Sequence, residues 1–426
     1  MARVTPHFRY IFSLFCTAIF TGVFSTAQAT DWPQFLGPTL NGHAPAECDP
    51  PLVWSETQNV VWKTPIHDLG WSSPVIAKDQ VWMTTATEDG KELFAVCVNK
   101  NSGEIVHDIK VFDVAEPQKK NGMNSYASPT PVVEEGRVYV SFGYAGLACL
   151  DTATGRTIWS RRDFVCDHHN NAPGSSPVMY KNLLIFPVDG IDVQYIAAVD
   201  RKTGDTVWKT DRSFDYSDIV IDCKKAYGTP LVLNVNGKDW LISCAAQEGY
   251  AYDPATGRER WHVTYPGGFS NTPVPGFWNG NIILNTGFTS AMYLCFPLEC
   301  QGNIADDSIL WTFAKNVPLC ATAAVVGDAM YFCDGQGVAT CLNLETGEAR
   351  WSERFGGNFW ASPVVVKNRI YFFDDNGTTT VIEATPKECN VLRKNELETG
   401  CMATPAVSGN RLYIRTKTDI YCIGQS

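Results

Sequence analysis

Asp151-Thr152-Ala153-Thr154-Gly155-Arg156-Thr157-Ile158-Trp159 is the stretch around which this chain falls into register. Its spacing, D-x-x-T-G-x-x-x-W, returns as Asp200, Thr203, Gly204 and Trp208, then as Asp253, Thr256, Gly257 and Trp261. With Asn for Asp it returns again as Asn343, Thr346, Gly347 and Trp351, and Asn99, Ser102, Gly103 and His107 form a worn copy. An apolar run precedes each copy and a β-branched or aromatic run follows it, which reads as strand, tight turn, strand. The Asp or Asn and the Thr hydroxyl can bond the turn backbone, and Gly takes the positive φ that other residues resist. A Trp at fixed offset on the second strand is a large apolar group through which one unit buries itself against the next.

The pattern resembles the tryptophan-docking motif of the quinoprotein-dehydrogenase-like propellers, whose indoles stack between adjacent four-stranded blades. The resemblance covers nearly the whole chain beyond its first 29 residues. It implies an all-β propeller of antiparallel blades in which Trp62, Trp159, Trp208, Trp261 and Trp351 are docking residues. A fold is specified this way far better than a function.

A second signal marks where units begin: Ser or Thr, then Pro, then a short apolar strand. It occurs at Ser73, Ser128, Ser176, Thr229, Thr272, Ser362 and Thr404, and with Ala for Pro at Thr322. Eight starts at intervals of roughly 40–55 residues give eight four-stranded blades. The last unit ends after its third strand, whereas Asn59-Val60-Val61-Trp62-Lys63 is an outer strand without a unit. Joining the two closes the ring with an N-terminal strand.

Residues 1–29 combine Arg3 and Arg9, an apolar run from Ile11 to Phe24, and Ala27-Gln28-Ala29, the order of a secretory signal peptide. Cleavage is expected after Ala29, giving a periplasmic or secreted protein without stable membrane insertion. Residues 30–58 read as an irregular leader and 59–426 as the propeller. A net charge of −11 and the lack of a basic stripe disfavour nucleic acid; a monomer is expected. Cys97, Cys149, Cys341 and Cys422 occupy a repeat position that Ala198 and Ala251 fill elsewhere, so they read as small buried hydrophobes. The loop residues Cys48, Cys166, Cys223, Cys300, Cys320, Cys389 and Cys401 remain candidates for pairing, and no C-x-x-C suggests zinc.

Residues just before the unit starts should crowd the channel mouth. The candidate ligand-binding set there is Trp71, Tyr126, Asn170, Asn171, Tyr227, Asn271 and Trp360, with acidic Asp-Gly loops such as Asp189-Gly190 and Asp374-Asp375 as a rim. Such a funnel suits a sugar, a peptide or a cation; plugging aromatics and ordinary turns are the plainer reading. Cys166-Asp167-His168-His169-Asn170-Asn171 is dense in ligand-type residues, but adjacent histidines on an extended loop point apart, so a surface loop is expected and no metal. Lys119-Lys120-Asn121-Gly122 reads as a solvated tip.

Two functions compete. The chain resembles the outer-membrane assembly propeller of Gram-negative bacteria, a non-catalytic scaffold, though without that protein's lipid-attachment cysteine. This branch implies a binding or scaffold protein at the cell envelope with an envelope protein, peptide or glycan as partner and no cofactor. The alternative is a quinoprotein-type dehydrogenase or other carbohydrate-active enzyme, in which pyrroloquinoline quinone with calcium would sit above the channel. Against it stand the lack of an adjacent cysteine pair and of any paired catalytic constellation, so no catalytic residue is assigned.

Overall fold

The computed structural model describes residues 31–289 and 291–425; the expected signal peptide lies outside them. Eight sheets form a propeller, with blades 1 to 7 at 75–113, 132–161, 178–211, 231–264, 276–313, 324–354 and 364–396. Blade 8 takes three strands from 406–423 and its outer strand from Val60–Pro65, which pairs antiparallel with Asp419–Ile423. Among the described residues blade 4 alone gains a fifth strand, Gly302–Asn303, parallel to its outer strand Glu259–Thr264. Each blade is covered by neighbours on both faces, so middle strands are apolar without alternation, as in the wholly buried Leu183–Asp189. Outer strands keep the alternation that one wet face demands.

The repeat is a docking device. In the founding turn the Asp151 carboxylate accepts the N–H groups of Ala153 and Thr154 and the Thr154 hydroxyl. The residue after the Asp or Asn then presents its carbonyl to the indole of the preceding blade: Trp62 donates to Lys100, Trp159 to Arg201 and Trp208 to Pro254. The turn glycine makes room. At Gly204, where φ is 77°, a Cβ would lie 2.7 Å from the Trp159 ring. Trp261 donates to Leu298 O. His107, from the worn copy, bonds Thr152 O in the same way. Trp311 also docks, onto Leu344 O, without a D-x-x-T-G turn before it in sequence. Opposite these docking residues stand Cys97, Cys149, Ala198, Ala251, Cys295, Cys341 and Cys422, small side chains in pairing register.

Blade 7 breaks the rule. Arg393 stands at the docking position, and Trp54 from the leader stacks on Tyr371 at 6.1 Å, as Trp159 packs on Tyr139 in blade 2. The turn that should receive Trp351 is Glu383-Ala384-Thr385-Pro386, without glycine, and the indole N–H of Trp351 has no partner among the described residues.

A ring of hydroxyls joins the inner strands. The backbone N–H of Ser73 donates to Thr130 Oγ1, that of Thr130 to Ser176 Oγ, and that of Ser176 to Thr229 Oγ1. Val274, Thr322, Ser362 and Thr404 continue it, donating in turn to Thr322, Ser362, Thr404 and Ser73. Two starts therefore shift by two residues: Thr130 replaces Ser128 and Val274 replaces Thr272, because S-P-T-P and T-P-V-P each offer two candidates on one face. Val274 has no hydroxyl, so the ring breaks between blades 4 and 5. Val274→Thr should supply the missing acceptor for the N–H of Thr229 and raise stability by about 1 kcal/mol in urea titration. No gain would show that the hydroxyls are incidental.

The leader is a floor. The N–H and C=O of Trp32 exchange bonds with Ile76 in blade 1, Pro33 O accepts from Val133 in blade 2, and Gln34 Oε1 accepts from Met179 in blade 3. Farther on, Gly42 and Ala44 bond Val365 in blade 7, and His43 Nε2 donates to Val325 O in blade 6. These are the inner strand edges, whose backbone groups would otherwise line the channel unpaired. No disulfide joins Cys166, Cys223, Cys300, Cys320, Cys389 or Cys401 to another described cysteine.

Candidate functional site

Above the leader the channel becomes a cup of about 360 Å³. Phe35, carried by the leader, lies at its base among the ring hydroxyls of Ser73, Thr130, Ser176, Thr229, Ser362 and Thr404. Trp71, Tyr227, Phe269, Phe288 and Trp360 line it with Met123 and Met402. Of the residues expected at the mouth, the structure brings together Trp71, Asn171, Tyr227 and Trp360.

The other three stand elsewhere. Tyr126 is buried, its ring against Gly90 and its hydroxyl donated to Gln118 O, so it is blade packing. Asn271 is fully buried, with its amide N–H groups given to Asn285 O and the Tyr265 hydroxyl. Asn170 is exposed and lines a separate depression beside Cys166, Asp167 and Asp192.

Lys119, Asn121 and Gly122 are exposed, as a solvated tip should be, yet the same segment reaches the cup, where Asn121, Met123 and Asn124 join the lining. Asn121 Nδ2 donates to Asn171 Oδ1, and Asn121 Oδ1 accepts from Met123 and Asn124. Nothing periodic announced this; the only cue was the Asn-rich composition shared with residues 170 and 171. The acidic rim is also mostly structural. Asp189 is buried against Arg212, and Asp374 is buried while accepting the N–H groups of Asn376 and Thr378.

His168 turns inward, unlike the expected surface loop. Its ring lies 3.5 Å from Cys166 Sγ and packs between Tyr144 and Tyr227, while His169 stays half-exposed. Burial pulls the His168 pKa down to about 4, only partly offset by Asp167 and Asp192. The histidine is thus neutral in the folded protein. Above pH 6.5 neither folded nor unfolded His168 is charged and its full contribution is present. As pH falls from 6.5 toward 4 the unfolded chain binds a proton that the folded chain refuses, and stability should drop by about 3 kcal/mol. His168→Phe should flatten that fall in urea titrations at pH 7 and 4.5; an equal fall in both proteins would assign the loss to other groups.

The lining holds little for proton transfer. Asp222 is paired with Lys225, burial pushes the Cys320 thiol up to about 11, and burial also raises the Tyr227 phenol. No group of three or more His, Cys, Asp or Glu among the described residues is arranged to hold a metal.

A family model described as outer membrane protein assembly factor BamB matches residues 53–209, 192–287 and 301–392. The chain belongs to this family. It is 22% identical over 287 residues to the outer membrane protein assembly factor BamB of Moranella endobia (strain PCIT), covering 65% of this chain and 69% of that one. It is also 30% identical over 150 residues, 32% of its length, to the quinohemoprotein alcohol dehydrogenase ADH-IIG of Pseudomonas putida, of which it spans 20%. Among solved structures, BamB of Moraxella catarrhalis superposes with a TM-score of 0.59 at 13% identity, covering 86% of this chain and 97% of that one. The quinohemoprotein alcohol dehydrogenase of Comamonas testosteroni gives 0.65 at 12% identity, over 93% and 81%. At such identities the likeness shows the fold alone.

The dehydrogenase relatives raise the question of a quinone. Pyrroloquinoline quinone carries three carboxylates, and calcium takes six to eight oxygen ligands, carboxylates prominent among them. In this BamB-family chain the cup lining contributes one carboxylate, Asp222, already held by Lys225, and no Arg or Lys. Residues of this kind do not suit that pair.

Proposed function

We propose that the protein is an exported, non-catalytic docking propeller of the cell envelope and that the cup is its binding surface. The observation that carries this is the lining: aromatic and thioether side chains over a ring of hydroxyls, with one charged group that is already paired. Concave, mostly apolar sites with a few convergent polar groups bind; turning over a substrate needs a poised acid, base or nucleophile besides. Export is read from residues 1–29. No helix among the described residues is long and apolar enough to cross a membrane. The name borne by the BamB relatives supports a protein partner.

In a screen of envelope proteins, peptides and glycans, whichever partner the purified protein captures should be released by Trp71→Ala/Trp360→Ala, with melting little changed because both rings are partly exposed. Addition of the quinone with calcium should produce no dye reduction from alcohols or sugars. Cofactor-dependent turnover would overturn the non-catalytic reading, and capture indifferent to the double variant would remove the cup.

A further inference from the structure

We infer that the cup receives an extended polypeptide segment that is apolar and positively charged. This rests on the docking reading and names its partner class. The amides at the mouth are spent on the protein itself: Asn124 gives Nδ2 to Asn171 O and Pro173 O and takes the Ser125 N–H and the Ser128 hydroxyl on Oδ1. Asn121 is similarly consumed, and the Trp71 indole N–H goes to Met123 O at 2.9 Å. A saccharide is recognised by side chains free to pair with its hydroxyls, and this mouth offers few.

What remains is apolar. Met123 and Phe288 are 57% and 44% exposed on the cup, and Val220 and Ile221 are 70% and 52% exposed beside Asp222. Large apolar side chains clustered this openly mark a surface that a partner covers, and thioethers and ring faces adapt to varied side chains. Charge narrows the partner: no Lys or Arg lines the cup, its one carboxylate, Asp222, is balanced by Lys225, and the chain as a whole carries −11, so a cationic segment is drawn in and an acidic one repelled.

The cup's base suits a peptide backbone. Ser73, Thr130, Ser176, Thr229, Ser362 and Thr404 are at most 3% exposed, yet all line the cup. Each oxygen already accepts a neighbouring blade's N–H, and its own O–H has no acceptor among the described residues. Such hydroxyls are donors in search of carbonyls. An extended segment brings carbonyls at every residue.

The test uses the full chain and a short fluorescent peptide alternating Leu or Phe with Lys, its counterpart with Glu for Lys, and maltohexaose. The cationic peptide should bind, the acidic one about tenfold or more weakly, and maltohexaose should not displace it. Met123→Ser/Phe288→Ser should weaken peptide binding about tenfold without moving the melting midpoint, since both side chains are exposed. No binding of the cationic peptide up to millimolar concentration overturns the inference. Should maltohexaose bind instead, and be lost in Trp71→Ala/Trp360→Ala, the polypeptide falls while the cup survives as the docking site. Peptide binding indifferent to both double variants overturns the cup as well.

Discussion

Trp261→Ala should cost about 3–5 kcal/mol, the range for emptying a buried aromatic site, whereas Trp351→Ala should cost about half of that or less. The two tryptophans occupy equivalent positions in blades 4 and 6, opposite Ala251 and Cys341. Their surroundings differ. Trp261 is fully buried, donates to Leu298 O at 2.9 Å and meets Phe296 edge-on at 5.3 Å. Trp351 keeps part of its surface in water, and its N–H meets no acceptor because the turn before blade 7's outer strand lacks the Asp-x-x-Thr-Gly chemistry. Truncating Trp261 opens a cavity between blades and orphans a carbonyl; truncating Trp351 removes less apolar contact and no hydrogen bond. Urea titration of both variants decides. Equal losses would mean that repeat position, not local burial, sets the energy.

The ring was legible because most blades repeat local chemistry: a turn capped by its own Asp or Asn, a glycine, an aromatic docking residue, a Ser/Thr-Pro start. These signals act within ten residues or so, and they recur. Legibility failed where a residue's partner lies far along the chain. Trp311 went unseen because the loop 298–310, which carries the fifth strand of blade 4, stands where its turn motif should be. The leader read as irregular because its bonds are scattered over six blades, from Ile76 and Val133 through Val365 to Asn410, and leave no period. The two misplaced starts, Ser128 for Thr130 and Thr272 for Val274, arose because a slip of two residues keeps a strand's faces unchanged. At the cup, Trp71 and Trp360 were legible as large residues where the blade asks for none. Tyr126 looked the same in sequence, and only the space above Gly90 drew it into the packing.

Asp189 was read as a rim acid and is instead half of a buried ion pair, which makes the other large effect. Arg212 Nε and Nη2 grip its two oxygens at 3.0 and 2.8 Å, and both side chains are at most 1% exposed. Arg212 also donates to the Tyr252 hydroxyl and Ser243 Oγ and lies over the Tyr250 ring. Asp189→Ala should cost about 3–5 kcal/mol, because it strands a guanidinium in a space closed to water. Asp189→Leu/Arg212→Met should recover most of that loss, since apolar side chains of similar volume escape the desolvation of both ions. The protein does tolerate one buried guanidinium without a carboxylate. Arg415 donates to Ser72 O, Ser72 Oγ and Thr84 O, and burial pushes its pKa down to about 9. Carbonyls aimed at Arg415 do part of the work of a counter-ion there. Around Arg212 the remaining partners are two hydroxyls and ring faces, weaker acceptors for a full charge, so removal of Asp189 leaves it far less satisfied than Arg415. A double variant as unstable as Asp189→Ala would show that the pair holds the joint between blades 3 and 4 through its geometry, and not merely that a lone charge is costly.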